Sequence, residues 1–403
     1  MTEPSTVTAP QHGQPGPGFA TPAEFRRSVR ALVDRHPEVF APEAWDVPGR
    51  VPPGREAVAL LGRAGLLAPA AAPVPAPATA PVREALPEPG RVPSWQFTAA
   101  LHEELGLLPA GAVVLTQVEV AAKLLAAFPA TAPAARQALA GRSLAALAVT
   151  EPGGGLDFDA MTTSVRRGDE GIVVDGEKWL SSNAPFADEL LVLARDTAFA
   201  DSALGRHSLV RVPVGAPGVE VHPLRTLGHR GVTGRIRLTG VRLAPEALLG
   251  SPGTGLLTLM RHWVHERVMV ALRMTAMAEG LLALLRSAGG PPSGYADRAA
   301  AELFVDIAQE RASCRRALEL LGAGGCPPRT AAGCKLRSAD VLRRTAEAAL
   351  RVEAELASTR PRFAGLDPAD PGLAERALRD ATGLALAGGS DEALLMVIAR
   401  ELR

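Results

Sequence analysis

The nine residues from Trp263 to Ala271, W-V-H-E-R-V-M-V-A, set an acid and a base, Glu266 and Arg267, inside a largely apolar run. A carboxylate so placed can be half of an ion pair or the acceptor of a proton. Adjacent residues on a helix point about 100° apart, so Glu266 and Arg267 do not face each other as an i, i+4 pair would. Glu266 shares its face with Trp263 and Val270. An acid on an apolar face has a raised pKa, which suits it to proton transfer near neutrality. A helix-surface acid beside an arginine is the plainer reading of the same residues.

Two further stretches have the residue types to meet a ligand. In A-V-T-E-P-G-G-G-L-D, residues 148 to 157, Pro152 forces a turn after Thr150, and three glycines let a backbone come close to a bound molecule. In D-G-E-K-W-L-S-S-N-A-P-F-A-D, residues 175 to 188, the ring of Trp179 stands two residues before the hydroxyl of Ser181 at a strand end. Each alone reads as an ordinary turn or core strand.

The elements that would position these residues follow from the spacing of apolar side chains. At 403 residues the chain exceeds one ordinary core, and two or three domains are expected. Residues 1 to 20 have the composition of a disordered tail. Residues 21 to 147 show mostly helical spacing, interrupted by A-P-A-A-A-P-V-P-A-P-A-T-A-P-V, which predicts an extended surface loop. Residues 148 to 250 alternate or are β-branched in short runs bounded by Gly, Pro, Asp or Asn, which predicts a small antiparallel β domain. Helical spacing returns over 255 to 286, 296 to 322, 332 to 358 and 391 to 402, so residues 251 to 403 should form a four-helix bundle. The plan is α+β in three segments.

Composition bounds the partners. The 43 basic and 43 acidic residues cancel, so no net field draws the chain to nucleic acid or to an anionic membrane. No run approaches the roughly 18 apolar residues of a membrane span, and the N-terminus lacks the pattern of a secretion signal. A cytoplasmic protein is expected. Cys314, Cys326 and Cys334 are odd in number and show no C-x-x-C spacing, which argues against a disulfide framework and against a zinc site.

Taken in order, T-E-P-G-G-G-L-D, K-W-L-S-S-N-A, H-S-L-V-R-V-P-V and the terminal G-G-S-D-E-A-L-L-M-V-I-A-R-E-L resemble the acyl-CoA dehydrogenase family. The family pattern is T-E-P-x-x-G-S-D, K-x-W-I-T-N-A, a strand ending V-x-V-P, and G-T-S-E-I-x-x-x-x-I-A-R-E-L. The resemblance spans about residues 22 to 403. It implies FAD between the β domain and the C-terminal bundle. The Leu147, Val149 and Thr150 backbone and the Thr150 hydroxyl would contact the flavin's polar edge. Trp179 would cover one ring face, Ser181 would add a hydrogen bond, and Ser390 and Glu392 of the terminal segment would join the cofactor site. The implied reaction removes two hydrogens from adjacent carbons of an acyl thioester of CoA or of acyl carrier protein, with an electron-transfer flavoprotein as acceptor.

The base of many family members lies in a segment like I-Y-E-G-T-S-E. Here that segment reads L-A-G-G-S-D-E, and the position is Gly388. Isovaleryl-CoA and long-chain dehydrogenases instead place the glutamate on the first long helix of the C-terminal domain, just before an Arg. H-E-R-V-M-V-A matches that arrangement, with Glu266 as base, Arg267 toward the CoA part of the substrate, and Gly388 serving through its backbone N–H.

Three departures bear on assembly. Leu156 replaces the serine of G-S-D, the R-x-x-F-G segment has become L-L-R-S-A-G-G-P-P-S-G-Y-A-D-R, and Q-x-x-G-G-x-G-Y is replaced by R-V-E-A-E-L-A-S-T-R-P. In the family the last two hold the adenosine end of an FAD bound mainly by the neighbouring subunit. The resemblance therefore implies a paralogous dehydrogenase partner, or a homo-oligomer with a rebuilt FAD site. A non-catalytic scaffold subunit and a flavin oxidase or monooxygenase on the same fold are the competing functions.

Overall fold

The computed structural model describes residues 19–47, 50–68, 94–155, 157–169, 171–199, 205–225, 228, 232–287, 294–323, 325–359 and 372–402. The tail over residues 1 to 18, the proline-rich stretch from residue 69, Leu156, and the replaced segments over residues 288 to 293 and beyond residue 359 lie outside these.

The N-terminal part holds α1 (Pro22–Arg35), α2 (Pro37–Phe40), α3 (Gly54–Arg63), α4 (Ser94–Glu104), α5 (Ala110–Leu115), α6 (Lys123–Ala126) and α7 (Ala132–Leu139). A π-helical segment, Thr116–Ala122, joins α5 to α6. Eight strands follow among the described residues: β1 (Ala145–Ala148), β2 (Ser164–Gly168), β3 (Gly171–Ser182), β4 (Glu189–Asp196), β5 (His207–Pro213), β6 (Val219–Leu224), β7 (Thr233–Leu243) and β8 (Leu248–Leu249). The C-terminal part holds α8 (Gly255–Ser287), α9 (Gly294–Gly322), α10 (Pro328–Thr359), α11 (Leu373–Leu384) and α12 (Asp391–Glu401).

The sheet runs β6-β7-β3-β2-β4-β5-β8, with β1 also paired to β4. Most pairings are antiparallel as expected, but β1 and β2 run parallel to β4. The first strand begins at Ala145, inside the segment assigned by spacing to the N-terminal helices. Its short A-A-L-A sequence alternates too little to read as a strand; pairing with β4 makes it one. Among the described residues the C-terminal part has three long helices and two short ones; α12 falls on the final expected pattern, and α11 is a fifth helix that the spacing did not mark.

Helix α8 is the axis of the fold. Every residue from Val268 to Leu272 is apolar and buried, and a helical stretch apolar on all sides must be enclosed on all sides. It packs against α4, α9, α10 and β5. One core joins the N-terminal helices to the sheet through Phe25, Trp45, Leu61, Val165 and Ile236. A second fills the bundle around Met269, Leu272, Leu318 and Leu342. Their junction, under the ends of β1 and β3, is where the chemistry-bearing residues meet.

Candidate active site

A cavity of about 340 Å³ opens at that junction. Its wall is laid down by the end of β1, a kinked part of β3, the π-helical segment, α8 and the turn between α11 and α12. Leu147, Val149 and Thr150 line it where the chain leaves β1. Their backbone is fixed from behind. The buried Lys178 ammonium donates to the Val149 carbonyl at 3.0 Å and to Glu151 Oε1 at 2.8 Å. The Trp179 N–H donates to the Thr150 carbonyl at 2.8 Å. Glu151 also accepts from the backbone N–H groups of Thr162 and Thr163, at 2.7 and 2.9 Å. Burial works against the Glu151 charge, yet these donors hold its carboxyl at about 2, while burial pulls Lys178 down to about 8. Both are charged at neutral pH. T-E-P and K-W are thus one buried device, which no single stretch of sequence displays.

Trp179 lines the cavity, with the Arg235 guanidinium 5.7 Å over its ring. Ser181, expected beside it, is not in the cavity wall, and Ser182 and Leu180 are. The cause is local. The register with β7 shifts between Lys178 and Ser181, and Leu180 has a φ of +53°. A bulge of this kind breaks the alternation that would put residues 179 and 181 on one face. The Ser181 hydroxyl is buried, with no hydrogen-bond partner among the described residues.

Glu266 and Arg267 both line the cavity, and their side chains part as helical geometry requires. Glu266 is half-buried, with no hydrogen bond or ion pair found among the described residues. Burial pushes its carboxyl up to about 7, against the pull of the Arg267 and Lys335 charges and with a push from Glu119. Arg267 turns to the other side, where its Nε donates to the Gly388 carbonyl at 2.9 Å.

Gly388 occupies a position an acid would find strained. Its φ is +69°, and a Cβ there would come within 3.2 Å of Arg267 Cγ. Its carbonyl is held by Arg267, and its N–H has no hydrogen-bond partner among the described residues. The buried Lys335 ammonium donates to the carbonyls of Ala385 and Gly389, pinning both ends of the turn. Ser390 lines the cavity at the start of α12, whereas Glu392 is exposed in the first turn and is not in the wall.

Several lining residues escaped the sequence reading. Arg273 lies seven residues beyond Glu266, two turns along the same face; it is buried and donates to the Leu108 carbonyl at 3.2 Å. The i+7 spacing was a usable signal. Phe158 stacks on Trp263 with ring centroids 5.8 Å apart and narrows the cavity from the side. Nothing in the spacing of residues 158 and 263 announces that contact. Asp380 of α11 completes the wall.

Comparison with known proteins gives the family. Residues 146–241 match the family model for the acyl-CoA dehydrogenase middle domain, and residues 253–403 match that for the acyl-CoA dehydrogenase C-terminal domain. The cyclohexane-1-carbonyl-CoA dehydrogenase of Geobacter metallireducens is 30% identical over 273 residues, which cover 65% of this chain and 68% of that protein. The probable acyl-CoA dehydrogenase YdiO of Escherichia coli (strain K12) is 33% identical over 135 residues, 33% of this chain and only 35% of the relative's length. Among solved structures, a glutaryl-CoA dehydrogenase from Mycobacterium smegmatis in complex with FADH2 has a TM-score of 0.75 at 18% identity, covering 94% of each chain. That last likeness is one of fold.

Proposed function

Because the chain belongs to the acyl-CoA dehydrogenase family, we propose that it is an FAD-dependent dehydrogenase of an acyl thioester, with Glu266 as the base that takes the α proton. The observation that carries this reading is a carboxyl in the cavity wall, without a partner among the described residues and raised to about 7. A scaffold subunit has no use for such a group, whose burial works against folding. A base with a pKa near the working pH is effective in proton transfer.

The wall fits the ring of a flavin. Leu147, Val149, Leu180, Phe158 and Trp179 make it largely apolar, and Thr150 and Ser182 add a few polar atoms, which is the composition a flat conjugated ligand needs. FAD, when bound, supplies the acceptor for the β hydrogen, which leaves as hydride. The chain's own residues do the rest. Glu266 takes the α proton. The Gly388 N–H, held by Arg267 and Lys335 through the turn, donates to the thioester oxygen and stabilises the charge that develops there. Arg267 faces the CoA or carrier-protein part of the substrate, and an electron-transfer flavoprotein is the acceptor for the electrons.

At about 340 Å³ the cavity has the size of a small-ligand site. The segments that hold the adenosine end in the family are replaced in this chain, and a paralogous subunit is the proposed source of that grip. The test is to purify the chain alone, count FAD per chain, and compare it with Glu266→Gln under anaerobic acyl-thioester addition. The variant should keep its flavin and lose substrate-dependent bleaching; bleaching that survives overturns Glu266 as base. One flavin per chain in the isolated protein overturns the paralogous partner and leaves the base assignment standing.

A further inference from the structure

We propose that Glu310, Cys314 and Cys334 bind a divalent cation of borderline softness, zinc above all, inside the C-terminal bundle. Glu310 and Cys314 are one turn apart on α9 and share a face, and Cys334 reaches the same point from α10. Their ligand atoms all lie within 4.8 Å of one another. All three side chains are buried, at 3%, 0% and 6% exposure. The chain thus brings two sulfurs and a carboxylate together where its core is otherwise apolar.

The spacing suits coordination. Zinc bonds of about 2.3 Å to sulfur and about 2.0–2.2 Å to oxygen, at tetrahedral angles, put neighbouring ligand atoms about 3.5–3.8 Å apart. Cys314 Sγ already stands 3.4 Å from Glu310 Oε1, as donor to it. From the 4.8 Å bound, side-chain shifts of about 1 Å or less close the triangle. Thr275 Oγ1, from α8, lies 3.8 Å from Cys314 Sγ and adds a hydroxyl beside that sulfur.

Without a cation, the hydrogen-bond partner found for the Glu310 carboxyl among the described residues is the weak thiol donor of Cys314. A buried carboxyl is ordinarily paired, and no salt bridge to Glu310 is found among the described residues. The nearby Arg337 is engaged by Asp306 and Asp340, each at 2.7 Å. Binding converts the two thiols and the carboxyl to thiolates and carboxylate, releases their protons to solvent, and forms two metal–sulfur bonds and one metal–oxygen bond with no redox change. Thiolate ligands select against magnesium and calcium, which take oxygen. The linear spacing argued against zinc only because the ligands come from two helices rather than one short motif.

Metal content of the full-length protein, purified without chelator, tests the site. About one zinc per chain is expected, exchangeable for cobalt with a thiolate-to-cobalt charge-transfer band and tetrahedral visible bands. Cys334→Ser should lower the content at least about tenfold, whereas Cys326→Ser should leave it unchanged. Circular dichroism of each variant confirms that it is folded. Should Cys334→Ser fail to fold, cobalt titration of the wild-type chain decides by its thiolate band alone. The proposal falls if folded wild-type protein binds no zinc or cobalt, if Cys334→Ser keeps its metal, or if mass analysis finds Cys314 and Cys334 joined as a disulfide in the purified protein.

Discussion

Glu119 and Glu266 are two acids enclosed by the same fold, and their environments separate them. Glu119, on the π-helical segment, accepts from the Lys123 ammonium at 2.6 Å and has His102 Nε2 3.7 Å away. Although burial alone would raise it, the Lys123 ammonium beside it holds it at about 2. Glu266 faces the cavity with no such partner among the described residues and sits at about 7. Burial raises both groups; the partner decides which becomes a fixed charge and which remains a proton acceptor. Glu119 then adds its own negative charge to the push on Glu266. A buried acid is therefore diagnostic of chemistry here only where its partner is missing.

The comparison can be broken most severely at Glu266. Replacement by Gln should lower the rate of substrate-dependent flavin reduction by about 10²–10⁴-fold in stopped-flow absorbance, the usual share of a general base. The sign of the stability change should be opposite. An acid whose folded pKa is raised costs stability as pH rises above its ordinary value, with the full cost reached above about 7. Glu266→Gln should therefore melt higher than wild type at pH 8. A lower melting temperature would mean that Glu266 has a stabilising partner after all.

At the other acid, Lys123→Met should destabilise the chain by about 3–5 kcal/mol in denaturant unfolding, because it leaves Glu119 buried without its cation. In wild type the Glu119 contribution is whole above the ordinary carboxyl pKa of about 4.5 and is lost as pH falls toward 2. Without its cation Glu119 has no depressed pKa to lose, so the stability gap between variant and wild type should narrow as pH falls toward 2.

The pH dependence of kcat/KM gives a smaller and sharper test. Glu266 must be ionised to act, so the rate should fall on the acid side of about 7, by about tenfold per pH unit. A limb near 4 would mean that the acid is paired in solution. Smallest of all, Gly388→Ala should cost about 1–2 kcal/mol through the +69° φ, and should weaken the hold of Arg267 on the turn. An unchanged melting curve would show that the turn relaxes freely.

Much of this arrangement was legible in the sequence. The helical runs over 255 to 286 and 296 to 322 fall within a few residues of α8 and α9, because long apolar spacing without interruption leaves little choice. Glu266, Arg267, Thr150, Trp179, Gly388 and Ser390 meet at one cavity as the order of motifs implied. Ser181 does not, since a bulge at a leucine with positive φ has no signature that alternation can register. Glu392 follows Ser390 by two residues, and on α12 that offset turns it to solvent. The Glu151–Lys178 pair and the cluster of Glu310, Cys314 and Cys334 join residues from different elements, and pairing across elements is decided by packing rather than by spacing.

The bond from Arg267 to the Gly388 carbonyl limits how such a site can change over generations. A side chain at position 388 meets Arg267, so the two places for a base compete for one space. A side chain placed at 388 must therefore displace the Arg267 stem by a few tenths of an ångström and accept a left-handed backbone, so each arrangement of the acid shapes the room left for the other.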